Sequence, residues 1–489
     1  MTMHPEQRQE ILSAKHAGPH AAGGRVIWRD VALVVVVAAL VRAPCLVISC
    51  QDRSRQVDPD SSSYLSLADE LAAGHGFGRP MVLRPGEPAQ WTPELFRTPG
   101  YPAVLAASKW LTGDALLPTI ILQNILGLAL CAGLVVIGQR GLGRAAGLLM
   151  GLLAAVDLQA VALANSILTD FPFALLVLAA TLLAARVLSR PSLPGAAATA
   201  GLLGAAALVR PAGIGLPIAL GACLLAMSLK RKNLRLAMAA LIVALMGSGI
   251  IGAWIIRNGR ACGQYALSSV SRFNYISNFG CHTLEAAQGI SYPVAFDRLT
   301  DQMGLTSADV RYHALGRQQE QRLHDVVNRV LRQYPGAFAR ITAKNMANLW
   351  FGPDKLLLST LGAPPLSLGI LRPSSGQPVH WSAWGLLAFN SLWLGTLYIL
   401  VLRTIVLRLR GRPMQAMTWL ALMAGLYVLL VASGPLGDPR LRAPATVPLL
   451  LVGAAGLAAR RPAANLGRGS APDHSLGGWS QAGDAQAAA

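Results

Sequence analysis

Charge is what this chain has least of. Asp, Glu, Lys and Arg make up 13% of its 489 residues, about half of the roughly 25% usual in soluble proteins. So little charge cannot clothe a water-soluble surface at this length, which excludes an ordinary cytosolic enzyme. Acidic residues are the scarcer half: 23 Asp and Glu stand against 42 Lys and Arg, a formal net charge of +19. Six cysteines in 489 residues are too few for a disulfide-stapled secreted scaffold. Aromatics are only 6% and form no stripe with the basic residues, so the surplus charge is not a nucleic-acid footprint. No internal repeat is evident. What is abundant is apolar: 53% of residues, with a mean hydropathy of +0.46. That excludes a disordered chain and leaves an all-α polytopic membrane protein.

A helix needs about 20 apolar residues to cross about 30 Å of hydrocarbon. Ten runs qualify as spans: 30–49, 115–137, 145–164, 167–185, 195–209, 211–228, 234–256, 381–402, 414–432 and 442–459. The fifth and sixth meet at Arg210-Pro211, where proline breaks the helix. Lys and Arg mark cytoplasmic loops. With the N-terminus inside, the short inner loops hold Arg140, Arg144, Arg186, Arg190, Lys230, Arg231, Lys232, Arg235, Arg403, Arg408, Arg410 and Arg412, and the tail opens with Arg460-Arg461. Much of the net charge is therefore topology. The organisation expected is a cytoplasmic N-terminus (1–29), a bundle over 30–256 that includes a first outer loop at 50–114, a second outer segment at 257–380, C-terminal spans over 381–459 and a disordered Ala/Gly/Ser-rich cytoplasmic tail from 460 to 489. Cys262 and Cys281 both fall in the second outer segment, where an oxidising compartment would allow a disulfide; two unpaired thiols are the alternative.

The acidic residues collect on the outer side: Asp58, Asp60, Asp69, Glu70, Glu87, Glu94, Asp157, Asp170 and Asp438. Asp58 and Asp60 precede apolar positions 64, 65, 67, 68, 71 and 72, the pattern of an amphipathic helix lying at the membrane surface. Asp60 suits an N-cap, but one cap does not need two aspartates. A close carboxylate pair can instead bind a cation or keep one member as a general base. Phe96-Arg97-Thr98-Pro99-Gly100-Tyr101-Pro102 then reads as a tight turn whose arginine either snorkels or binds phosphate. Asp170 suits the positive end of a helix dipole as well as a site. Arg210 lies on the outer side against the positive-inside trend. Arg257-Asn258 ends a span, where the two could neutralise helix carbonyls. Arg42, inside the first span, either snorkels outward or pairs with an outer carboxylate. His313 and His324 fall in a charged amphipathic stretch over 306–335, and Tyr334-Pro335 reads as a helix break.

Taken in order, Asp60 with Tyr64, Leu67-Ala68, Gly74, Gly76-Phe77 and Arg97-Thr98-Pro99-Gly100-Tyr101-Pro102 resemble the first outer loop of GT-C glycosyltransferases. The likeness is to the bacterial branch related to protein O-mannosyltransferases and to the lipid A aminoarabinose transferase. It continues through Leu168-Thr169-Asp170-Phe171-Pro172-Phe173, Leu208-Val209-Arg210-Pro211, Trp254-Ile255-Ile256-Arg257-Asn258 and Asp438-Pro439-Arg440-Leu441-Arg442-Ala443-Pro444. The resemblance implies a GT-C-like bundle of a bacterial inner membrane that passes a sugar from a polyprenyl phosphate carrier to a lipid, glycan or protein acceptor at the outer face, by inverting single displacement. It implies Asp60 as base and Asp170 as a second acidic residue facing the same cavity; Asp58, from its pairing with Asp60, is a further catalytic candidate, with a turn former before Pro59 as the alternative. Tyr64, Arg97, Arg210, Arg257, Asn258, Arg440 and Arg442 are then expected at the substrate. A bound divalent metal stays open. The aminoarabinose branch has an acidic residue before a Lys-Pro, linked to a metal; Phe96-Arg97-Thr98-Pro99 has no carboxylate there. Two other readings compete: a ligase or polymerase of surface polysaccharide, and a transporter or flippase of a lipid-linked substrate. Either of these tolerates Asp60→Asn.

Overall fold

The computed structural model describes residues 19–81, 88–352, 381–434 and 437–458. The expected tail at 460–489, most of the N-terminal segment and residues 353–380 of the second segment lie outside them. The described chain is an all-α polytopic membrane fold with one small hairpin. Its helices are α1 (Pro19–Gln51), α2 (Ser61–Ala72), α3 (Gly100–Thr112), α4 (Leu117–Leu142), α5 (Arg144–Ala155), α6 (Leu158–Ala164), α7 (Asp170–Ser189), α8 (Leu193–Val209), α9 (Leu216–Arg231) and α10 (Leu234–Cys262). Five short helices follow: α11 (Val270–Asn274), then α12 (His282–Gln288) after a π-helical turn at Tyr275–Cys281, α13 (Tyr292–Met303), α14 (Ser307–Tyr312) and α15 (Arg317–Gln333). The chain closes with α16 (Pro335–Phe351), α17 (Trp381–Leu409), α18 (Ala416–Ala432) and α19 (Ala443–Ala455).

Each of the ten expected spans falls on a helix or a pair of helices, but they are not equal. Among the described residues six helical stretches are long and apolar enough to cross a membrane alone, one of them Pro211–Arg231, in which a 3-10 turn leads into α9. The run 145–164 is a bent pair, α5 and α6, turned by 52°. The bend has a local cause: Asp157 leaves the helical conformation and its Oδ1 accepts the Ala160 amide, restarting the helix as an N-cap. α8 and α18 have 17 residues each, and α19 has 13, with Pro448 inside it and its side chains buried. At about 1.5 Å per residue α19 is near 20 Å long, too short to cross alone. The break expected at Arg210-Pro211 is present: α8 stops at Val209, Arg210 is extended and a 3-10 turn covers Pro211–Gly213.

With few polar groups available, close backbone approach holds the bundle together. A Cβ on Gly138 of α4 would lie 2.5 Å from the Cα of Gly147 on α5. Arg42 neither snorkels nor meets an outer-loop carboxylate. It is 2% exposed and donates to the carbonyls of Ala38 and Ala155 at 3.3 Å. At the other end of α1, Asp30 takes both Arg144 nitrogens at 2.8 and 2.9 Å.

Two segments assemble at the end of the bundle where α1 finishes and α7 begins. In the first, α2 buries Tyr64, Leu67 and Ala68, and packs with Tyr101 and Leu105 of α3. The amphipathic face is thus covered by protein. A hairpin absent from the sequence reading pairs β1 (Gly78–Met81) with β2 (Gln90–Pro93), Gly78 opposite Pro93. The second segment has its own core of Ile276, Cys281, Leu299, Val310, Leu323 and Val327. The stretch 306–335 is two helices, α14 and α15, because His313–Gly316 leaves the helical path with Leu315 buried. Tyr334 caps α15 and Pro335 opens α16, as expected. Cys262 and Cys281 are both free thiols. Burial, with Glu285 nearby, pushes the Cys281 thiol up to about 12.

Gly100 explains why the turn at 96–102 sits where it does. A Cβ there would lie 2.8 Å from the Leu208 carbonyl oxygen and the Val209 nitrogen. Thr98 Oγ1 adds a hydrogen bond to the Val209 carbonyl at 3.3 Å. The glycine lets the Arg97 turn lie on the end of α8, next to Arg210. Gly100→Ala must push these backbones apart, and overpacking of this kind costs about 1–3 kcal/mol. The expected result is a lower melting temperature in detergent with unchanged oligomeric behaviour; an unchanged melting temperature would contradict this packing.

Candidate active site

The site is built on Asp60, which the turn Asp58-Pro59 delivers to the first position before α2. Although Asp60 occupies the N-cap position, its side chain makes no capping bond. Asp58 does the local work instead. Its Oδ1 accepts the Asp60 amide at 3.2 Å and its carbonyl accepts the Ser61 amide at 2.8 Å. Ser61 Oγ then donates to the Ile167 carbonyl at 2.8 Å, tying this turn to the loop before α7.

Freed from capping, the Asp60 carboxylate reaches two arginines. Oδ1 lies 2.8 Å from Arg97 Nη2, and Oδ2 lies 2.8 Å from Arg440 Nη2. Arg440 Nη1 is also 3.5 Å from Asp58. Burial alone would raise the Asp60 pKa, but the two guanidiniums outweigh it and hold the carboxyl at about 2. Arg97 and Arg440 are both pushed upward despite burial, Arg97 by Tyr64 and Asp60, and Arg440 by Asp170, Asp438, Asp60 and Asp58. The stabilisation that Asp60 gains from this pairing is fully present above its ordinary pKa near 4 and is lost as pH falls through about 2.

Each arginine is held in place. Arg97 donates Nε to Ser63 Oγ at 2.9 Å and Nη1 to the Tyr64 hydroxyl at 3.1 Å. Its guanidinium lies over the rings of Tyr64 and Phe96, 4.6 and 4.7 Å from their centroids. Arg440 sits in a 3-10 turn at Pro439–Arg442. That turn is capped by Asp438, whose Oδ1 accepts the Arg440 amide at 3.0 Å, and pinned by Gln159 Nε2 on the Pro439 carbonyl at 2.8 Å. Arg440 Nε is buried and has no hydrogen-bond partner among the described residues. Beside them Asp170, 1% exposed, pairs with Arg210 Nη1 at 2.7 Å, and Arg210 also donates to Thr169 Oγ1 at 3.0 Å.

The structure therefore brings Asp58, Asp60, Tyr64, Arg97 and Arg440 into one cluster, with the Asp170–Arg210 pair beside it. Arg257, Asn258 and Arg442 point elsewhere. Arg257 donates to the carbonyls of Phe77 and Glu94 at 2.8 and 3.1 Å and lies over the rings of Phe77 and Trp254. Asn258 holds the carbonyls of Ala266 and Leu267 at 2.9 and 3.1 Å. Both secure the loops that flank the site. Arg442 is 1% exposed and donates to the Leu349 carbonyl at 2.8 Å.

Glu94 has a part that the sequence does not reveal. Its side chain is fully buried; Oε1 accepts the amides of Phe96 and Arg97 at 2.6 and 2.9 Å, while Oε2 lies 3.1 Å from Arg79 Nη2 on the hairpin. It organises the turn that aims Arg97. The sequence shows only a carboxylate in an outer loop shortly before the 96–102 turn; its burial and its pairing with Arg79 come from the fold. Glu94→Ala would leave Arg79 and both amides without their acceptor. Losing one partner of a buried pair costs about 3–5 kcal/mol. The expected result is a large fall in thermal stability, with Glu94→Gln intermediate because it keeps an acceptor oxygen; equal stability of Glu94→Ala and the wild type would refute it.

The described residues do not offer a donor set for a bound divalent metal. Among the described residues no group of three or more His, Cys, Asp or Glu converges. Asp60 and Asp170 face guanidiniums, Glu94 is engaged with amides and Arg79, and His282 pairs with Glu285 within the second segment.

Solved structures that the chain is similar to match it at low identity. With the Archaeoglobus fulgidus oligosaccharyltransferase tethered to an acceptor peptide it shares 12% identity at a TM-score of 0.48, covering 88% of this chain and 49% of that one. The chain thus spans about half the length of that protein. With ArnT from Cupriavidus metallidurans bound to undecaprenyl phosphate it shares 16% identity at a TM-score of 0.38, covering 88% and 77%. No curated protein sequence is matched. Residues 96–255, which carry Arg97, Asp170 and Arg210, match the family model of dolichyl-phosphate-mannose-protein mannosyltransferases, and this match supports the GT-C resemblance carried by the motifs.

Proposed function

We propose that the protein is a glycosyltransferase that moves one sugar from a polyprenyl phosphate carrier to an envelope acceptor by inverting single displacement. The observation that carries this reading is a carboxylate gripped by two arginines, Asp60 between Arg97 and Arg440, at one end of a membrane bundle. The family match supports the coarser part, a glycosyltransferase that uses a lipid-linked sugar. In the reaction the acceptor hydroxyl oxygen bonds to the anomeric carbon, its proton passes to Asp60, and the anomeric carbon–phosphate oxygen bond breaks with its electrons going to the phosphate. Arg97 and Arg440 neutralise the charge that grows there, and the Arg210–Asp170 pair lies at the edge of the site. The positive-inside pattern supports placing this end at the periplasmic face of a bacterial inner membrane, with both termini cytoplasmic. The test is conversion of isotope-labelled polyprenyl phosphate hexose and pentose donors by the purified chain in nanodiscs with an envelope extract. Release of polyprenyl monophosphate together with labelled acceptor is expected; no conversion of any donor by folded protein would overturn the reading.

A further inference from the structure

A base must have affinity for a proton, and Asp60 in the resting protein has very little. Each of its oxygens sits 2.8 Å from a guanidinium. The other groups facing it do not relieve this. Ser63 and Tyr64 both bond to Arg97, Asp58 stands 3.5 Å from Arg440, and Asp170 and Asp438 also attract Arg440. With its carboxyl held at about 2, Asp60 is a counterion and not yet a base. The same two arginines are the cations that the transferase reading assigns to the donor phosphate. Arg440 Nε has no hydrogen-bond partner among the described residues, so Asp60 and Asp58 do not use all of its donors.

Resting on the transferase reading, we propose that Arg97 and Arg440 serve two anions in turn. They hold Asp60 when the site is empty and pass to the phosphate of the bound donor, which gives Asp60 the basicity to take the acceptor proton. Such a site imposes an order. Acceptor arriving first meets a carboxylate that cannot deprotonate it, and only the donor complex is competent. When the anomeric bond breaks, the leaving phosphate gains a second negative charge and holds the arginines more tightly at the moment Asp60 accepts the proton. Departure of the polyprenyl monophosphate lets the arginines return to Asp60 and closes the cycle.

Competition between Asp60 and phosphate for the same two arginines is reciprocal, which makes it measurable without knowing the sugar or the acceptor. Binding of polyprenyl monophosphate to the full chain in nanodiscs should be about tenfold tighter for Asp60→Asn than for the wild type, because the internal competitor is gone. It should be weaker for Arg440→Gln. Equal or weaker binding by folded Asp60→Asn overturns the exchange and leaves the transferase reading intact. If the wild type does not bind the lipid at all, the donor assignment fails as well. Inorganic phosphate binding as tightly as the lipid would keep the exchange but remove the lipid carrier. A second readout uses the wild type alone: a hydrophobic carbodiimide adds to protonated carboxyls, and peptide mass spectrometry locates it. Labelling of Asp60 should rise about tenfold when polyprenyl monophosphate is bound, the gain that each unit of pKa returned to the carboxyl brings, and not with polyprenol. Unchanged labelling with lipid bound overturns the exchange.

Discussion

Asp60→Asn is expected to give a folded protein whose sugar transfer falls by about 10²- to 10⁴-fold, the contribution usual for a positioned general base. The expectation of normal folding is specific. Asp60 makes no capping bond to α2, and the turn before that helix is held by Asp58 and Ser61 instead. Asparagine keeps the shape and one acceptor oxygen, so Arg97 and Arg440 retain a neutral partner. What disappears is the charge and the ability to accept a proton. Transfer in nanodiscs at matched protein amount reads this directly, with melting temperature as the control. Activity within a few-fold of wild type would mean that Asp60 is only a counterion for its two arginines.

The second large effect separates two arginines that sit two residues apart. Arg440→Gln removes a cation from Asp60 while leaving a partly exposed position, so folded yield should stay close to normal. Transfer should drop by about 10²-fold or more, the loss typical when one donor to a developing oxyanion is deleted. Arg442→Gln should do the reverse. Arg442 is buried at 1% exposure, holds the Leu349 carbonyl of α16, and lies close enough to Asp157 to attract it. Its loss should lower folded yield and melting temperature, and the remaining folded fraction should still be active. Equal phenotypes for the two variants would contradict the placement of Arg440 in the site and Arg442 in the core.

These two residues also show where sequence reading stops. Both stand on the same short segment beside Pro444, and composition gives them equal claims on a phosphate. Only the 3-10 turn at Pro439–Arg442 decides that one faces Asp60 and the other the interior. Arg257 and Asn258 were equally ambiguous, because the carbonyls that Arg257 meets belong to Phe77 and Glu94, far away in sequence and brought close by a hairpin that has no strong local pattern. The spans were legible because crossing hydrocarbon demands long apolar runs, and the break at Arg210-Pro211 because proline cannot continue a helix. The break at Asp157 was legible in principle: an aspartate inside an apolar run, with helix resuming after it, is an N-cap signal. Asp60 stood out through its pairing with Asp58 and its place in the motif order. Its grip by Arg97 and Arg440 depends on contacts across 37 and 380 residues that no local pattern encodes.

The most direct test of the central claim is mass spectrometry of membrane lipids and envelope glycans from a strain lacking this protein and supplied with either the wild-type chain or Asp60→Asn at equal abundance. Asp60→Asn is expected to match the empty strain: a polyprenyl phosphate sugar accumulates and one glycan, lipid or protein loses a single sugar, whose mass names the donor. Full restoration of the wild-type profile by Asp60→Asn would contradict it.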